Sequence, residues 1–460
     1  MANRSGEDSP TADQSREGAN GDGRELAQRA FVVLRDNAIG KATSPSRRLY
    51  PHQWSWDSAC IAIGYARSSQ RRAESELRSL FAGQWRNGLL PHIVFTEGAR
   101  YFPGPEFWQT ERSTDAPTRP RTSGIVQPAI HGTALWEAFR HASDRDAATA
   151  FARALLPQML AWHEYLYRER TRDGGALVEV WHPWETGMDN SPLWDDALAR
   201  IELVPADVPE YTRVDVQVAD ADERPSDRDY DRYAYLVGLS RELAYDASRV
   251  RERTPFAIRP VLFNALLAQS NRDLGELARA IGADSGPFVE WADETDRALE
   301  ALWDDTTGVY RDHDVLADKP LASWCAAGLA PLYAGVPSAA RAERMVETLR
   351  TTIAPVSAEG WAVTSLPPDD PRFQPKLYWR GPVWPILNWV VHRGLKRYGY
   401  ESLAEKVRAT VLALVRDRGF WEHYDPYTRT GHGGEEFAWT AGIVLDLLGS
   451  SSTNGSPERD

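Results

Sequence analysis

The sequence contains very little cysteine: Cys60 and Cys325 are the only two cysteines among 460 residues. Two cysteines that lie so far apart exclude a disulfide framework and the closely spaced cysteine pairs of a zinc site. The N-terminal segment lacks the apolar stretch of a secretory signal, and no apolar run approaches the roughly 18 to 20 residues that a membrane helix needs. From these absences we expect a cytoplasmic protein that does not insert into a membrane.

The sequence also lacks an excess of positive charge. Its 53 lysines and arginines are outnumbered by 66 aspartates and glutamates, which gives a net charge of −13. Nucleic-acid binding requires a basic face that releases counterions from phosphates, so we expect no nucleic-acid partner. With 42% hydrophobic and 26% charged residues, the composition is that of an ordinary globular protein with a sizeable core. A homo-oligomer is compatible with this composition.

Apolar residues recur at the spacing of amphipathic helices over most of the chain. We place helices at 25–39, 58–68, 73–85, 131–142, 147–170, 233–247, 260–282, 287–303, 320–334, 338–352, 382–398, 401–416 and 437–448. Their number and pairing predict an all-α fold, an α/α barrel in which inner and outer helices alternate and one mouth carries the loops. We expect one domain over 25–448, with disordered tails at 1–24 and 449–460.

Three long connections interrupt the helices, at 86–126, 171–200 and 353–381. They carry aromatic residues, prolines and charges rather than periodic structure, and long loops of this kind are typically functional. Aromatic and carboxylate side chains are combined in four clusters in or beside these loops: YPHQWSWDSA (50–59), VWHPWETGMDNSPLWDD (180–196), KLYWRGPVWP (376–385) and GFWEHYDPYTRTGHGGEEFAWT (419–440).

Aromatic rings beside carboxylates fit the surface of a sugar. The C–H faces of a sugar ring stack on flat side chains, while its hydroxyls donate hydrogen bonds to carboxylates. The alternative is that the tryptophans fill a large core, because tryptophan is mostly buried in proteins. Core tryptophans should follow the helical period, whereas most of these lie in stretches that glycine and proline interrupt. The pattern therefore favours a carbohydrate site.

The same clusters resemble motifs of glycoside hydrolase families 63 and 37. The acid-bearing motif of these families resembles the stretch ETGMDNSPLWDD of this chain. Their Trp-x-Gly-Pro-x-Trp segment resembles WRGPVWPILNWVVHRGLKRYG, and their closing segment resembles FWEHYDPYTRTGHGGEEFAWTAG. Together with WSWDSA near the start, the matches run in the family's order from about residue 48 to 448. The short chain without added β domains is most similar to the bacterial members of family 63 that hydrolyse mannosylglycerate or glucosylglycerate.

The resemblance implies an (α/α)6 barrel and hydrolysis of an α-glycoside with inversion at the anomeric carbon. It implies that Asp189 is the general acid and Glu422 the general base, since inverting chemistry divides these roles between two carboxyls about 6.5 to 9.5 Å apart. We expect Trp184, Trp194 and Trp421 to supply apolar walls that raise the pKa of a carboxyl. We expect no cofactor and no metal in this chemistry.

Other carboxylates compete for these roles. Glu185 could be the acid, or it could orient the loop that carries it. Glu435 and Glu436 follow a glycine-rich stretch and could serve as the base. Asp57 is expected to bind sugar hydroxyls, with capping of a helix from Ser58 as the alternative.

A glycerate aglycone carries a negative charge, which needs a cation and hydroxyl donors. We expect Arg224 and Tyr230 to supply them from the acidic segment 215–232, a mobile insertion that could close over the site as a lid. Tyr101 is expected to assist them. The complete set of expected substrate-binding residues is Tyr50, Trp54, Trp56, Asp57, Tyr101, Gln127, Trp184, Arg224, Tyr230, Trp379, Arg380, Gly381 and Trp384.

Three functions are open on the sequence, and a small glycoside is the expected partner in each. The first is an inverting α-glycosidase that releases glycerate from glucosylglycerate or mannosylglycerate. The second, trehalase or another α-glucosidase of the same clan, is disfavoured because WRGPVWP lacks the Gln-Trp-Asp-Tyr-Pro signature of trehalases. The third, a carbohydrate-binding barrel without catalysis, is disfavoured because both catalytic carboxylates of the motifs are present.

Overall fold

The structure is a computed structural model that describes residues 12–99, 101–172, 174–353 and 362–449. Helices dominate these ranges. The helices in these ranges are α1 (Ala12–Asp36), α2 (Ser55–Ala66), α3 (Gln70–Phe81), α4 (Pro105–Trp108), α5 (His131–Arg140), α6 (Arg145–Glu169), α7 (Asp195–Ala199), α8 (Asp227–Glu242), α9 (Ala247–Arg253), α10 (Val261–Ile281), α11 (Gly286–Leu299), α12 (Pro331–Ala334), α13 (Ala339–Thr348), α14 (Pro385–Arg397), α15 (Glu401–Arg418) and α16 (Ala438–Gly449).

The strands are short antiparallel pairs that fix the ends of loops. They are β1 (Ala38–Ile39), β2 (Ala42–Thr43), β3 (Gln53–Trp54), β4 (Ile93–Val94), β5 (Ile258–Arg259), β6 (Trp303–Asp304), β7 (Val309–Tyr310), β8 (His313–Asp314), β9 (Lys319–Pro320), β10 (His423–Tyr424) and β11 (Gly431–His432). β5, β8 and β9 form one sheet in that order, and the others pair as β1 with β2, β3 with β4, β6 with β7 and β10 with β11. In the last pair, His423 lies opposite His432.

The sequence of each helix decides how deeply the helix is buried. All twelve residues of α2 are buried, and apart from Asp57 they are apolar or small. In α3, by contrast, buried residues such as Ala73, Leu77 and Leu80 recur on one face, so this helix covers the core from one side. α2 packs closely on α16, because a methyl group at Gly64 would lie only 2.3 Å from the Cα atom of Gly442. Two glycines therefore set the approach of these helices.

Six helices contact one another in a closed order. α2 contacts α5, α5 contacts α10, α10 contacts α12, α12 contacts α14, α14 contacts α16, and α16 contacts α2. α1, α3, α6, α11 and α15 each pack against a member of this cycle. The starts of α2, α14 and α16 carry Asp57, Trp384 and Trp439, and all three residues line one pocket. The cycle thus brings the N-terminal ends of buried helices to a common site.

Most of the predicted helices lie where the sequence places them. α10 occupies Val261–Ile281 against the predicted 260–282, and α15 occupies Glu401–Arg418 against 401–416. The prediction at 320–334 is wrong over most of its length, since an α-helix forms only over Pro331–Ala334. Pro331 stands at the first position of the helix, where proline is best tolerated, and Gly335, with φ 78°, ends the helix. The sequence analysis did not predict α4, α7, α9 or the short strands.

The chain ends differ from the prediction where the structure describes them. α1 begins at Ala12, so the disordered tail predicted for 1–24 is wrong from residue 12 onward. A helix that is anchored by a buried face can extend into polar residues, because propagation is much easier than nucleation. Residues 1–11, 354–361 and 450–460 of the predicted tails and loop lie outside the described residues. Among the described helices, none is both long and apolar enough to cross a membrane.

Candidate active site

A pocket lined by aromatic side chains and three carboxyls lies at the ends of the buried helices. The sequence-predicted residues that line it are Tyr50, Trp54, Trp56, Asp57, Tyr101, Gln127, Trp184, Asp189, Arg224, Tyr230, Trp379, Trp384 and Glu422. These residues come from all four aromatic clusters, from the acidic segment 215–232 and, in the case of Tyr101 and Gln127, from the connection at 86–126 and the residue that follows it. Segments separated by hundreds of residues in sequence therefore meet at one site, as the sequence predicts.

Glu422 precedes β10 and is held by three hydrogen bonds. Its Oε2 accepts from the amide of Gly434 at 2.9 Å, while its Oε1 lies 3.2 Å from the hydroxyls of both Tyr50 and Tyr378. Burial raises the pKa of Glu422, and the charge of Arg224 together with these hydrogen bonds opposes the increase. The carboxyl is fixed in one orientation with its charge partly compensated, which suits a group that must be ionised to act.

Asp189 lies in a loop whose turn is set by glycine. The 3-10 helix Pro183–Thr186 ends at Gly187, which has φ 75° and touches the ring of Trp56 so closely that a methyl group there would lie 2.9 Å from it. Tyr233 donates from its hydroxyl to the main-chain oxygen of Asp189 at 3.0 Å. Burial raises the pKa of the Asp189 carboxyl to about 7. The charge of Arg224 opposes this increase in pKa, and the nearby charge of Glu422 adds to it. This carboxyl can therefore hold a proton near neutral pH.

Glu185 is excluded as the acid by its contacts. Both of its oxygens accept hydrogen bonds from the guanidinium of Arg170, at 2.6 and 3.1 Å, and they also accept from the amides of Val126 and Trp181. Glu185 is fully buried in this network and does not line the pocket. Its hydrogen bonds tie the loop to Arg170 and to two main-chain amides. Glu435 and Glu436, the alternative bases, are exposed side chains outside the pocket.

Asp57 is the third carboxyl of the pocket. The helix α2 begins at Ser55 with Trp54 as its cap residue, so the alternative for Asp57, capping of a helix from Ser58, is wrong. Asp57 lies instead in the first turn, where its side chain faces the pocket. Burial raises the pKa of Asp57 well above its usual value, and the charge of Glu422 adds to the effect.

Arg224 is buried beside the carboxyls rather than exposed on an acidic surface. Its Nε donates to Asp215 Oδ2 at 3.1 Å, and its Nη1 donates to the hydroxyl of Tyr50 at 2.8 Å. The guanidinium carbon also lies 4.4 Å from the ring centre of Tyr378. Among the described residues that line the pocket, Arg224 is the only cation. The pocket therefore combines three carboxyls with one positive charge.

Arg380 and Gly381 were predicted to bind substrate, and neither lines the pocket. The guanidinium of Arg380 points to α7, where its Nη1 donates to Asp195 Oδ2 at 2.9 Å. The amide of Gly381 donates to the hydroxyl of Ser365 at 3.0 Å. The turn that begins at Tyr378, with φ 36°, directs Tyr378 and Trp379 into the pocket and the next two residues away from it.

Two of the three tryptophans predicted as apolar walls do not reach the pocket. Trp194 donates from its indole N–H to the oxygen of Met188 at 2.8 Å, and Trp421 donates to the oxygen of Arg418 at 2.9 Å. Each ring therefore packs on its own loop. Trp184 does line the pocket, and so do aromatic residues that the sequence analysis did not select, among them Tyr378 and Trp439. Both lie inside quoted clusters, so their proximity to selected residues was the available signal.

The aromatic rings of the pocket hold one another in fixed positions. Trp379 and Trp384 stack with ring centres 3.7 Å apart and planes 4° from parallel. Trp56 and Trp439 meet edge to face at 5.0 Å. Such packing restricts ring rotation and presents flat apolar surface beside hydrogen-bonding carboxyls. Within the described ranges, no group of three or more His, Cys, Asp or Glu side chains is placed to hold a metal ion.

The chain is similar to proteins of known activity. A family model described as a mannosylglycerate hydrolase MGH1-like glycoside hydrolase domain matches residues 50–440. A mannosylglycerate hydrolase from Rubrobacter radiotolerans is 44% identical over 92% of this chain and 97% of that protein. A glucosylglycerate hydrolase from Mycolicibacterium hassiacum is 39% identical over 92% of this chain and 98% of that protein. The structure of a GH63 mannosylglycerate hydrolase from Thermus thermophilus, in complex with Tris and D-glycerate, matches with a TM-score of 0.85 at 42% identity, over 92% of this chain and 99% of that one.

The helical fold, the pocket of carboxyls and tryptophans, and these likenesses define the class of the protein: it is a glycoside hydrolase. The chain belongs to the mannosylglycerate hydrolase MGH1-like family, within glycoside hydrolase family 63. The resemblance that the sequence motifs indicate is thereby confirmed.

Proposed function

We propose that the protein is an inverting α-glycosidase that hydrolyses mannosylglycerate or glucosylglycerate to the free sugar and glycerate. The observation that carries the proposal is Arg224, a buried cation in a pocket that otherwise presents carboxyls and aromatic rings. A glycerate carboxylate needs a cationic partner once it is desolvated, whereas a neutral disaccharide has no charge to pair with Arg224. The activities named for the similar proteins, and the D-glycerate in the similar solved structure, support this substrate.

In this proposal Asp189 gives its proton to the glycosidic oxygen while Glu422 removes a proton from the attacking water. The pKa of Asp189, raised to about 7 by burial, keeps its proton available. Glu422 receives hydrogen bonds from an amide and two hydroxyls, which favour its ionised form. Water attacks the sugar on the face opposite the departing glycerate, so the anomeric configuration inverts.

The other lining residues bind the two halves of the substrate. Asp57 accepts hydrogen bonds from the hydroxyls of the sugar, and the ring faces of the tryptophans contact the C–H groups of the sugar. Arg224 pairs with the glycerate carboxylate, and Tyr101 and Tyr230, which also line the pocket, offer hydroxyl groups. The (α/α)6 barrel belongs to the same proposal, and the closed order of contacts through six helices supports it.

A substrate panel tests the proposed function. Purified protein is incubated with mannosylglycerate, glucosylglycerate, trehalose and kojibiose, and the reducing sugar released is measured over time. The proposal requires that at least one glycerate glycoside has a higher kcat/KM than both neutral disaccharides. A preference for trehalose or kojibiose would contradict it, and the absence of hydrolysis in all four reactions would leave only a binding role.

The proposed roles predict an alkaline loss of activity with a pKa near that of Asp189. The active form needs the proton of Asp189, whose pKa is about 7, so kcat/KM should fall as pH rises through about 7. It should also fall at acidic pH, when Glu422 becomes protonated.

The measurement is kcat/KM for the preferred glycerate glycoside against pH. An α-glycosyl fluoride serves as the control, since fluoride leaves without a proton and its hydrolysis should lack the alkaline limb. An equal alkaline limb for both substrates would contradict the assignment of Asp189.

Replacing Arg224 by Ala should weaken binding of glycerate glycosides selectively. Loss of a charged hydrogen bond of about 1.5 to 3 kcal/mol corresponds to an increase in KM of about 10- to 150-fold. KM for a neutral α-glycosyl fluoride should change much less, because that substrate has no carboxylate. Arg228→Ala is a matched control, since Arg228 is an exposed arginine at the start of α8. Equal increases in KM for the charged and neutral substrates would contradict the pairing with glycerate.

A further inference from the structure

The segment that carries Arg224 is tied to the glycine turn at 432–434, which in turn binds Glu422, the proposed base. Glu223 ends the 3-10 helix Ala221–Glu223, one residue before Arg224. One oxygen of its carboxylate, Oε1, hydrogen-bonds Nδ1 of His432, and the other, Oε2, accepts from the amide of Gly433 at 3.0 Å. The side chains of Glu223 and His432 are only 13% and 8% exposed, so this contact is shielded from solvent.

The same turn holds Glu422. The amide of Gly433 donates to Glu223 and the next amide, that of Gly434, donates to Glu422 Oε2 at 2.9 Å. Gly433 has φ 74°, and a methyl group there would lie 2.4 Å from the Oε2 atom of Glu422. Two consecutive amides of one tight turn thus bind two carboxylates, one from the arginine-bearing segment and one that is the proposed base.

A second connection runs along the other side of the site. Arg224 donates to the hydroxyl of Tyr50 at 2.8 Å, and that hydroxyl lies 3.2 Å from Glu422 Oε1. The contacts therefore close a ring that runs from Glu223 through the glycine turn to Glu422, then through Tyr50 to Arg224 and back along the chain. A displacement of the 220–226 segment would disturb both oxygens of Glu422.

We infer that Glu223 is a positioning residue that fixes the proposed glycerate-binding arginine and the proposed general base in one arrangement by bridging its segment to His432 and Gly433. The inference rests on the proposed function. Glu223 does not line the pocket, so it acts through Arg224 and Glu422 rather than on the substrate. Removal of its carboxylate should therefore impair two steps together, the binding of the aglycone and the activation of water, although it touches neither reactant.

The experiment compares Glu223→Ala with Asp222→Ala, a control that removes the same charge from an exposed neighbour. Glu223→Ala should lower kcat/KM for the glycerate glycoside by at least about tenfold, as loss of hydrogen bonds to a charged group would. It should raise KM for that substrate and lower kcat for both it and an α-glycosyl fluoride. Glu223→Gln can keep both contacts and should restore most of the activity, and Asp222→Ala should leave it unchanged.

His432→Ala removes the contact between Glu223 and His432 from the histidine side. This variant keeps the inference testable if Glu223→Ala does not fold. If the bridge is real, the double variant Glu223→Ala/His432→Ala should be little worse than Glu223→Ala alone, because both changes break one interaction. Additive losses would overturn the inference. So would a Glu223→Ala enzyme that matches Asp222→Ala, or one in which kcat on the fluoride is unchanged.

Hydrogen exchange separates a failure of this inference from a failure of the proposed function. In the absence of substrate, Glu223→Ala should speed amide exchange in both 213–226 and 430–437 relative to the wild type and Asp222→Ala. Unchanged exchange at Gly433 and Gly434 would overturn the inference even if the enzyme cleaves glycerate glycosides. A wild-type enzyme that cleaves no glycerate glycoside would contradict the proposed function but not this inference. The exchange result would still decide whether Glu223 holds the turn.

Discussion

Replacing Glu422 by Gln is expected to lower kcat by about 10²- to 10⁴-fold, as loss of a general base should. The amide has the shape of the carboxylate but cannot accept a proton from water. Glu422 is only 2% exposed and is held in one orientation by Gly434, Tyr50 and Tyr378. The loss should be equally large for a glycerate glycoside and an α-glycosyl fluoride, because both reactions need an activated water.

Glu435→Gln provides a matched control for this variant. Glu435 lies in the same loop, but its side chain is exposed and outside the pocket, so its replacement should leave kcat within about twofold, as surface substitutions usually do. Circular dichroism and thermal unfolding of both variants check that the fold is intact. Near-normal kcat for Glu422→Gln, or a larger loss for Glu435→Gln, would contradict the assignment of the base.

Replacing Asp189 by Asn is expected to produce a loss of similar size that depends on the leaving group. Without the acid, glycerate must depart as an alkoxide, so kcat for the glycerate glycoside should fall by about 10²- to 10⁴-fold. Fluoride needs no proton, so the same variant should retain most of its activity on an α-glycosyl fluoride. This difference between the two substrates distinguishes an acid from a base, because Glu422→Gln should lose both activities.

Asp196→Asn is the control for the acid, since Asp196 is an exposed aspartate on the adjacent helix α7. It should hydrolyse both substrates at the rate of the wild type. The assignment of Asp189 would be contradicted by an Asp189→Asn enzyme that loses the fluoride and the glycerate glycoside equally. Such a result would mean that the aspartate binds or orients the sugar.

The helices could be predicted from the sequence where burial follows the helical period. α15 carries its buried residues on one face, and its limits agree with the prediction to within about two residues. The start of α12 could not be predicted, because the apolar residues that precede it are buried without forming a regular α-helix. Periodicity reports burial of one face, and it does not distinguish helix from irregular backbone that is buried on all sides.

The composition of the pocket was predictable, but the direction of individual side chains was not. Tyr378, Trp379, Arg380 and Gly381 are consecutive, and the turn sends the first two into the pocket and the last two out of it. A motif places a segment near the site without specifying the backbone angles that aim each side chain. Trp421 was misjudged for the same reason, since its ring folds back on its own loop.

Long-range pairing was beyond the sequence analysis. Arg224 was expected in the site on the chemistry of its charge, but its neighbour Glu223 pairs with His432, which is 209 residues away in the chain. Nothing in the local composition of the acidic segment distinguishes Glu223 from Asp222 or Asp220. Only the fold reveals that one of these carboxylates meets a histidine and a glycine amide, while its neighbours face solvent.

The stereochemistry of the released sugar tests the central claim most directly. Wild-type enzyme is mixed with the preferred glycerate α-glycoside, and proton NMR spectra of the anomeric region are recorded before mutarotation of the product is complete. Direct attack by a water that Glu422 activates, with the proton supplied by Asp189, predicts that the β anomer appears first and that the α anomer grows only at the rate of mutarotation. Appearance of the α anomer first would imply a covalent glycosyl-enzyme intermediate and would contradict the account.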